Sequence, residues 1–94
     1  MKTIEGFKLR KLGNEYILVG ESMALINFNK MVTLNESAAV LWEKAETLTK
    51  AKGAFTAEDL TDCMTAEYEV SRDQAFADVQ STLQAWLDAG VIEN

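Results

Sequence analysis

The sequence predicts an α+β domain of the winged helix-turn-helix type, in which N-terminal antiparallel β-strands are followed by three α-helices. Apolar residues alternate or form branched runs in the first third of the chain, and they recur at three- and four-residue steps in the rest. A tight turn from Tyr68 to Ser71 joins the last two predicted helices, as in a helix-turn-helix pair. We therefore expect one domain over residues 1–94, with strands at about 7–34 and helices at about 36–89.

The first two strands are predicted at residues 7–12 and 16–19, which begin with alternation and continue as an aromatic and branched apolar run. Gly13 and Asn14 lie between them, and glycine supplies the positive φ that a type I′ or II′ hairpin turn requires. This pattern predicts an antiparallel hairpin near the start of the chain.

A second hairpin is predicted to join residues 24–28 to residues 31–34 about Asn29-Lys30, a weaker turn sequence than Asn-Gly. The strand at 31–34 contains neither the Lys nor the Pro that usually protects an exposed sheet edge. An unprotected edge beside a groove can accept a peptide as an extra strand. The residues leave open whether this strand is such an edge or is internal or covered.

Each predicted helix has a start signal. Asn35 can cap the first helix by accepting a hydrogen bond from an unpaired first-turn N–H. Thr56 with Asp59, and Ser71 with Gln74, have the spacing of capping boxes. These signals place the helix starts just after residues 35, 56 and 71.

Each helix also carries one apolar stripe that we expect to be buried. The stripes consist of Ala38, Leu41, Trp42, Ala45 and Leu48 in the first helix, Leu60, Cys63, Met64 and Tyr68 in the second, and Phe76, Val79, Leu83, Trp86 and Leu87 in the third. Gly90 is placed to end the third helix in the left-handed conformation. Trp42, Trp86 and Cys63 are accordingly interpreted as core residues.

The composition excludes several kinds of chemistry. The chain has no His and one Cys, so it lacks an imidazole base, a Cys-His pair and an internal disulfide. The acidic residues lie at solvent-facing helical positions without the spacing of a calcium loop, and no glycine-rich phosphate-binding loop is present. We therefore predict no catalytic residue, no metal and no cofactor.

Charge and hydropathy bear on partners and location. The net charge is −6, with five basic and three acidic groups in residues 1–34 and four basic and twelve acidic groups in residues 35–94. The third helix has one Arg and three Asp, so a duplex phosphate backbone would repel it. No segment has the length of a membrane span, and the N-terminus does not resemble a signal peptide. We expect a cytoplasmic protein that binds neither nucleic acid nor membrane.

Two segments resemble the PqqD-like family, also called RiPP recognition elements. Residues 34–42, with the sequence LNESAAVLW, are similar to the family's strand-end Leu-Asn-x-(Ser/Thr)-Ala motif and the apolar residues after it. Support comes from the family's closing helix and its Gly-apolar ending, here Val70, Ser71, Val79, Leu83, Leu87, Gly90, Val91 and Ile92. The resemblance extends from Phe7 to Ile92.

The resemblance implies a non-enzymatic peptide chaperone. Such a protein binds the leader of a ribosomally made precursor peptide as a strand added beside its third strand, against the last helix. It presents the leader to a modifying enzyme, often a radical S-adenosylmethionine (radical SAM) enzyme. On this chain the resemblance implies a peptide site at Met31, Val32, Thr33 and Leu34, with Arg72, Ala75, Val79 and Gln80 as solvent-side groups of the last helix.

Two segments depart from the family member that serves synthesis of the cofactor pyrroloquinoline quinone. Residues 21–28 resemble an added strand, and the connection at 47–53 is longer than in that member. We therefore predict a stand-alone family member for some modified peptide without assigning it to that pathway. A winged-helix regulator that binds DNA or another protein is the alternative, and a homodimer formed through the same sheet edge stays open.

Overall fold

The computed structural model describes residues 1–20 and 32–94. In chain order the elements are β1 (Lys2–Thr3), β2 (Phe7–Leu12), β3 (Glu15–Gly20), β4 (Val32–Leu34), α1 (Glu36–Lys52), α2 (Ala57–Glu67), α3 (Arg72–Ala89) and β5 (Ile92–Glu93). N-terminal antiparallel strands thus precede three helices, which confirms the predicted α+β class. The strand predicted at 24–28, its turn at Asn29-Lys30, and Met31 lie outside the described residues.

Strands β2, β3 and β4 form an antiparallel sheet in that order. The hairpin between β2 and β3 turns at Gly13-Asn14 as predicted. Gly13 has a φ of 62° and Asn14 has no positive φ, which is the type II′ pattern. β4 pairs with residues 16–18 of β3. Because directly paired residues share a sheet face, the face that packs on the helices carries Phe7, Leu9, Tyr16, Leu18, Val32 and Leu34.

A second, two-stranded ribbon joins the ends of the domain. β1 pairs antiparallel with β5, and Lys2 Nζ lies 3.3 Å from Glu93 Oε1. The Thr3 N–H donates to Thr49 Oγ1 of α1 at 3.1 Å. The sequence did not predict this ribbon, because two-residue strands are too short to show a periodicity.

The first two helices begin with the predicted caps. Asn35 Oδ1 accepts a hydrogen bond from the Ala38 N–H at 2.8 Å. The capping box of α2 is complete, since Thr56 Oγ1 accepts from the Asp59 N–H at 3.1 Å and Asp59 Oδ2 accepts from the Thr56 N–H at 3.0 Å. The cap at Asn35 fixes the point where β4 turns into α1.

The third helix begins and ends where predicted, but its capping box is not closed. Ser71 Oγ accepts from the Gln74 N–H at 3.2 Å, whereas the Gln74 side-chain amide donates to Asp78 Oδ1 at 2.9 Å. Gln74 therefore bonds one turn forward along α3 and not back to Ser71, so the predicted second half of the box is wrong. Gly90 ends the helix with a φ of 78°.

The core lies between the inner sheet face and the three helices. The largest fully buried side chains include Trp42, Trp86, Phe55, Leu18, Leu41, Leu60 and Val79. Trp42 and Trp86 pack edge to face, with ring centroids 5.3 Å apart and an interplanar angle of 85°. Of the predicted stripe residues, Ala38, Cys63 and Leu87 are half-buried.

Two predicted core residues are exposed. Tyr68 is 37% exposed because it is the C-cap of α2 with extended backbone angles, so its side chain leaves the helical stripe. Phe76 is 40% exposed, since the buried stripe of α3 passes through Ala75 and Val79 and Phe76 lies about 100° further round the helix. Thr61 is fully buried although the sequence predicted no core role for it, and its hydroxyl donates to the Ala57 carbonyl at 2.8 Å.

Candidate functional site

An open groove runs between β4 and α3 and ends beside the start of α1. It consists of two contiguous depressions of about 270 and 340 Å³. The lining residues are Val32, Thr33, Leu34, Asn35, Ser37, Ala38, Met64, Asp78, Ser81, Thr82, Ala85 and Trp86. We call this feature the β4–α3 groove.

One side of the groove is the strand β4. Its inner neighbour is β3, and the described residues place no strand on its other side. Leu34 is buried and Val32 is half-buried on the helix-facing side, while Thr33 is exposed on the opposite face. The described part of the sheet therefore leaves one edge of β4 beside the groove.

The other side of the groove is a row of small residues on α3. The stripe through Ala75, Val79 and Leu83, at steps of four residues, is buried in the core. The neighbouring row carries Ser81, Thr82 and Ala85, whose short side chains leave space between the helix and β4. The depth of the groove follows from these three side chains.

The two ends of the groove differ in chemistry. The end beside β4 is apolar, with Val32, Ala85 and the edge of Trp86. The end beside α1 is polar and carries the hydroxyls of Ser81 and Thr82, the carboxylate of Asp78 and the Ser37–Asn35 pair, in which the Ser37 hydroxyl donates to Asn35 Oδ1 at 3.0 Å. This arrangement can hold an extended chain whose side chains alternate between the sheet face toward α3 and the opposite face.

The structure brings together only part of the predicted peptide site. Val32, Thr33 and Leu34 line the groove, while Met31 lies outside the described residues. Ala75 and Val79 are fully buried, which confirms Val79 as a residue of the core stripe. The position of both as solvent-side groups, which the resemblance implied, is wrong.

The remaining two predicted residues are exposed but do not line the groove. Arg72 pairs with Asp62 of α2, with Nη1 and Oδ1 2.6 Å apart. Gln80 lies about 160° round the helix from Thr82 and so faces away from β4. The sequence did not predict that Ser81, Thr82 and Ala85 line the groove. These three small residues form a row adjacent to the core stripe.

Elsewhere the described residues hold no group of three His, Cys, Asp or Glu side chains placed to bind a metal ion. Cys63 lines a separate depression between α1 and α2. Burial raises the pKa of its thiol, and the Glu67 carboxylate raises it further, while Lys44 acts in the opposite direction. The thiol is therefore protonated near neutral pH and is a weak nucleophile. Within the described part of the chain, no helix is long and apolar enough to cross a membrane.

Comparison with known proteins relates this fold to one family. Residues 15–92 match the family described as Coenzyme PQQ synthesis protein D (PqqD). A solved structure described as "TbiB1 in Complex with the TbiA(beta) Leader Peptide" is similar in fold, with a TM-score of 0.73 and 20% sequence identity over 100% of this chain and 96% of that chain. None of the curated proteins matches the sequence. The family match confirms the resemblance found at residues 34–42 and in the closing helix.

Proposed function

The chain belongs to the PqqD family, and on that premise we propose that it binds the leader of a ribosomally synthesised precursor peptide and presents it to a modifying enzyme. The leader is added to the sheet as a strand beside β4, within the β4–α3 groove. The protein itself performs no catalysis. The observation that carries this proposal is a groove in which a strand edge and a helix face each other across space of about 270 Å³ at the strand.

In strand addition, main-chain hydrogen bonds and side-chain contacts contribute differently to peptide binding. Hydrogen bonds from the edge of β4 set the register of the peptide, each contributing roughly 0.5–1.5 kcal/mol net. The described part of β4 comprises three residues, and the bonds from these three alone give weak binding. The contacts with Val32, Ala38 and Ala85 therefore supply the apolar burial and the sequence preference.

The charge of the groove disfavours nucleic acid as the ligand. Asp78 is the one charged side chain among the described lining residues. A carboxylate in the groove repels phosphate, and Arg72 on the same helix is paired with Asp62. A peptide needs no positive charge on the protein and is compatible with this lining.

The similar solved structure supports the same choice of ligand. That protein is in complex with a leader peptide, and it is matched over nearly its whole length. For the present chain we propose a partner enzyme of the radical SAM class in the cytoplasm, where a newly made precursor is available. A second copy of the chain pairing through β4 would compete with the peptide for the same edge.

A backbone NMR titration with a synthetic candidate leader peptide tests the proposal. We expect shift changes to cluster at residues 32–38 and at Asp78, Ser81, Thr82 and Ala85 of α3. Residues of the β1–β5 ribbon serve as the internal control and should not move. Shifts that cluster away from the groove, or no binding, would contradict the proposal. Sedimentation of the free protein and of the complex shows whether a dimer dissociates when the peptide binds.

A further inference from the structure

The described lining residues of the β4–α3 groove carry negative charge and no positive charge. Among its described lining residues there is one carboxylate, on Asp78, and there is no Lys or Arg. Arg72 is held by Asp62 at 2.6 Å and does not line the groove. The carboxylate is therefore not neutralised by a described basic lining residue.

Asp78 is also held in place. Its Oδ1 accepts a hydrogen bond from the Gln74 side-chain amide at 2.9 Å, which restrains the carboxylate on the surface of α3. The described residues provide no hydrogen-bond partner for Oδ2, so this oxygen is available to a ligand. The neighbouring Ser81 and Thr82 hydroxyls can donate to or accept from a peptide main chain.

The distance between Asp78 and the apolar end of the groove predicts the spacing between two side chains of a bound peptide. Trp86 is eight residues further along α3, and a helix rises about 1.5 Å per residue, so the two positions are about 12 Å apart along the axis. A strand advances about 3.3 Å per residue, and its side chains alternate between faces. If the bound strand runs along α3, its residues four apart lie on the same face and span about 13 Å, close to the axial rise from Asp78 to Trp86.

We infer that the bound leader carries an apolar side chain against Trp86 and a Lys or Arg four residues away, on the same face, that pairs with Asp78. This inference rests on the proposed function and adds the chemistry of the preferred peptide. Asp78 is then a specificity-determining residue of the groove. The pair lies at an open surface, so we expect a preference of about two- to fivefold in Kd that weakens as salt rises.

A randomised library of twelve-residue peptides, displayed on phage, provides the test. It is selected in parallel against the wild-type chain and the variants Asp78→Asn, Asp78→Lys and Asp73→Asn. Asp73→Asn is the matched control, because it removes the same charge from the same helix at an exposed position outside the groove. Peptides enriched by the wild type are then measured by calorimetry with Lys or Gln at the cationic position.

We expect wild type and Asp73→Asn to enrich an apolar residue and a Lys or Arg at a four-residue spacing. Asp78→Asn should keep the apolar preference and lose the cationic one, and Asp78→Lys should enrich Asp or Glu instead. Enriched peptides without a cationic preference, or with one that Asp78→Asn leaves unchanged, would overturn the inference while leaving peptide binding intact. A library from which the wild type enriches nothing would count against the proposed function itself, and the inference would fall with it.

Discussion

Filling the β4–α3 groove from α3 should block peptide binding without harming the fold. Ala85 is exposed and lines the apolar end of the groove. In Ala85→Trp, the indole occupies the space that the apolar side chain of the peptide would take. Full burial of a Val- or Leu-sized side chain contributes about 1.5–3 kcal/mol, so its loss should weaken Kd by about 10- to 150-fold.

Gln80→Trp is the matched control for this substitution. Gln80 is also exposed on α3, but it faces away from β4. Both variants change a solvent-facing position, so the free energy of unfolding should stay within about 0.5 kcal/mol of wild type. Isothermal titration calorimetry with the leader peptide gives the affinities, and urea unfolding gives the stabilities. Equal affinity of both variants and wild type would refute the location of the site.

Three further experiments test the edge of β4, the end of α3 and the surroundings of the Cys63 thiol. Val32→Pro removes a main-chain donor from β4 and should abolish peptide binding, while far-UV circular dichroism shows the three helices retained. Gly90→Ala should lower the free energy of unfolding by about 1–2 kcal/mol. A Cβ at Gly90 meets no atom within 4 Å, so this loss comes from the left-handed backbone alone. Gly90→Asn should recover part of the lost stability, because Asn tolerates the left-handed conformation better than Ala. Alkylation of Cys63 by iodoacetamide should follow a pH midpoint above that of an unperturbed thiol, since burial and Glu67 raise its pKa. Glu67→Gln should shift that midpoint down, and an unchanged midpoint would argue against the carboxylate's influence.

The parts of the fold that local sequence determines were predicted. Side-chain caps such as Asn35 and Thr56 need only a hydroxyl or amide at the right distance from the next few backbone N–H groups, so their effect is visible within four residues. The Gly13-Asn14 hairpin is equally local, because its turn type follows from a single positive φ. The family resemblance at residues 34–42 lies over the same β4-to-α1 junction.

The face of α3 that lines the groove could not be predicted in the same way. Apolar or small residues predominate over about half of its circumference, from Ala85 through Ala75 and Val79 to Phe76. Periodicity alone cannot determine which part of so wide a stripe meets the sheet. Tertiary packing buries the middle of the stripe, exposes Phe76 at one margin and leaves the small residues at the other margin facing β4. Val32, Thr33 and Leu34 of the predicted site therefore line the groove, while the predicted residues of α3 do not.

The edge-to-face contact between Trp42 and Trp86 should give the protein an intrinsic circular-dichroism signal. Two indoles this close couple their electronic transitions, which produces paired bands of opposite sign in circular dichroism. Trp86, although 2% exposed, is a lining residue of the groove and Trp42 is not, so we expect an occupant at the apolar end to change the surroundings of one chromophore of the pair. Occupancy of the groove can therefore be followed on the unlabelled protein with a peptide that lacks tryptophan. The same spectrum read over a range of peptide concentrations gives an affinity without a tag or dye near the binding edge.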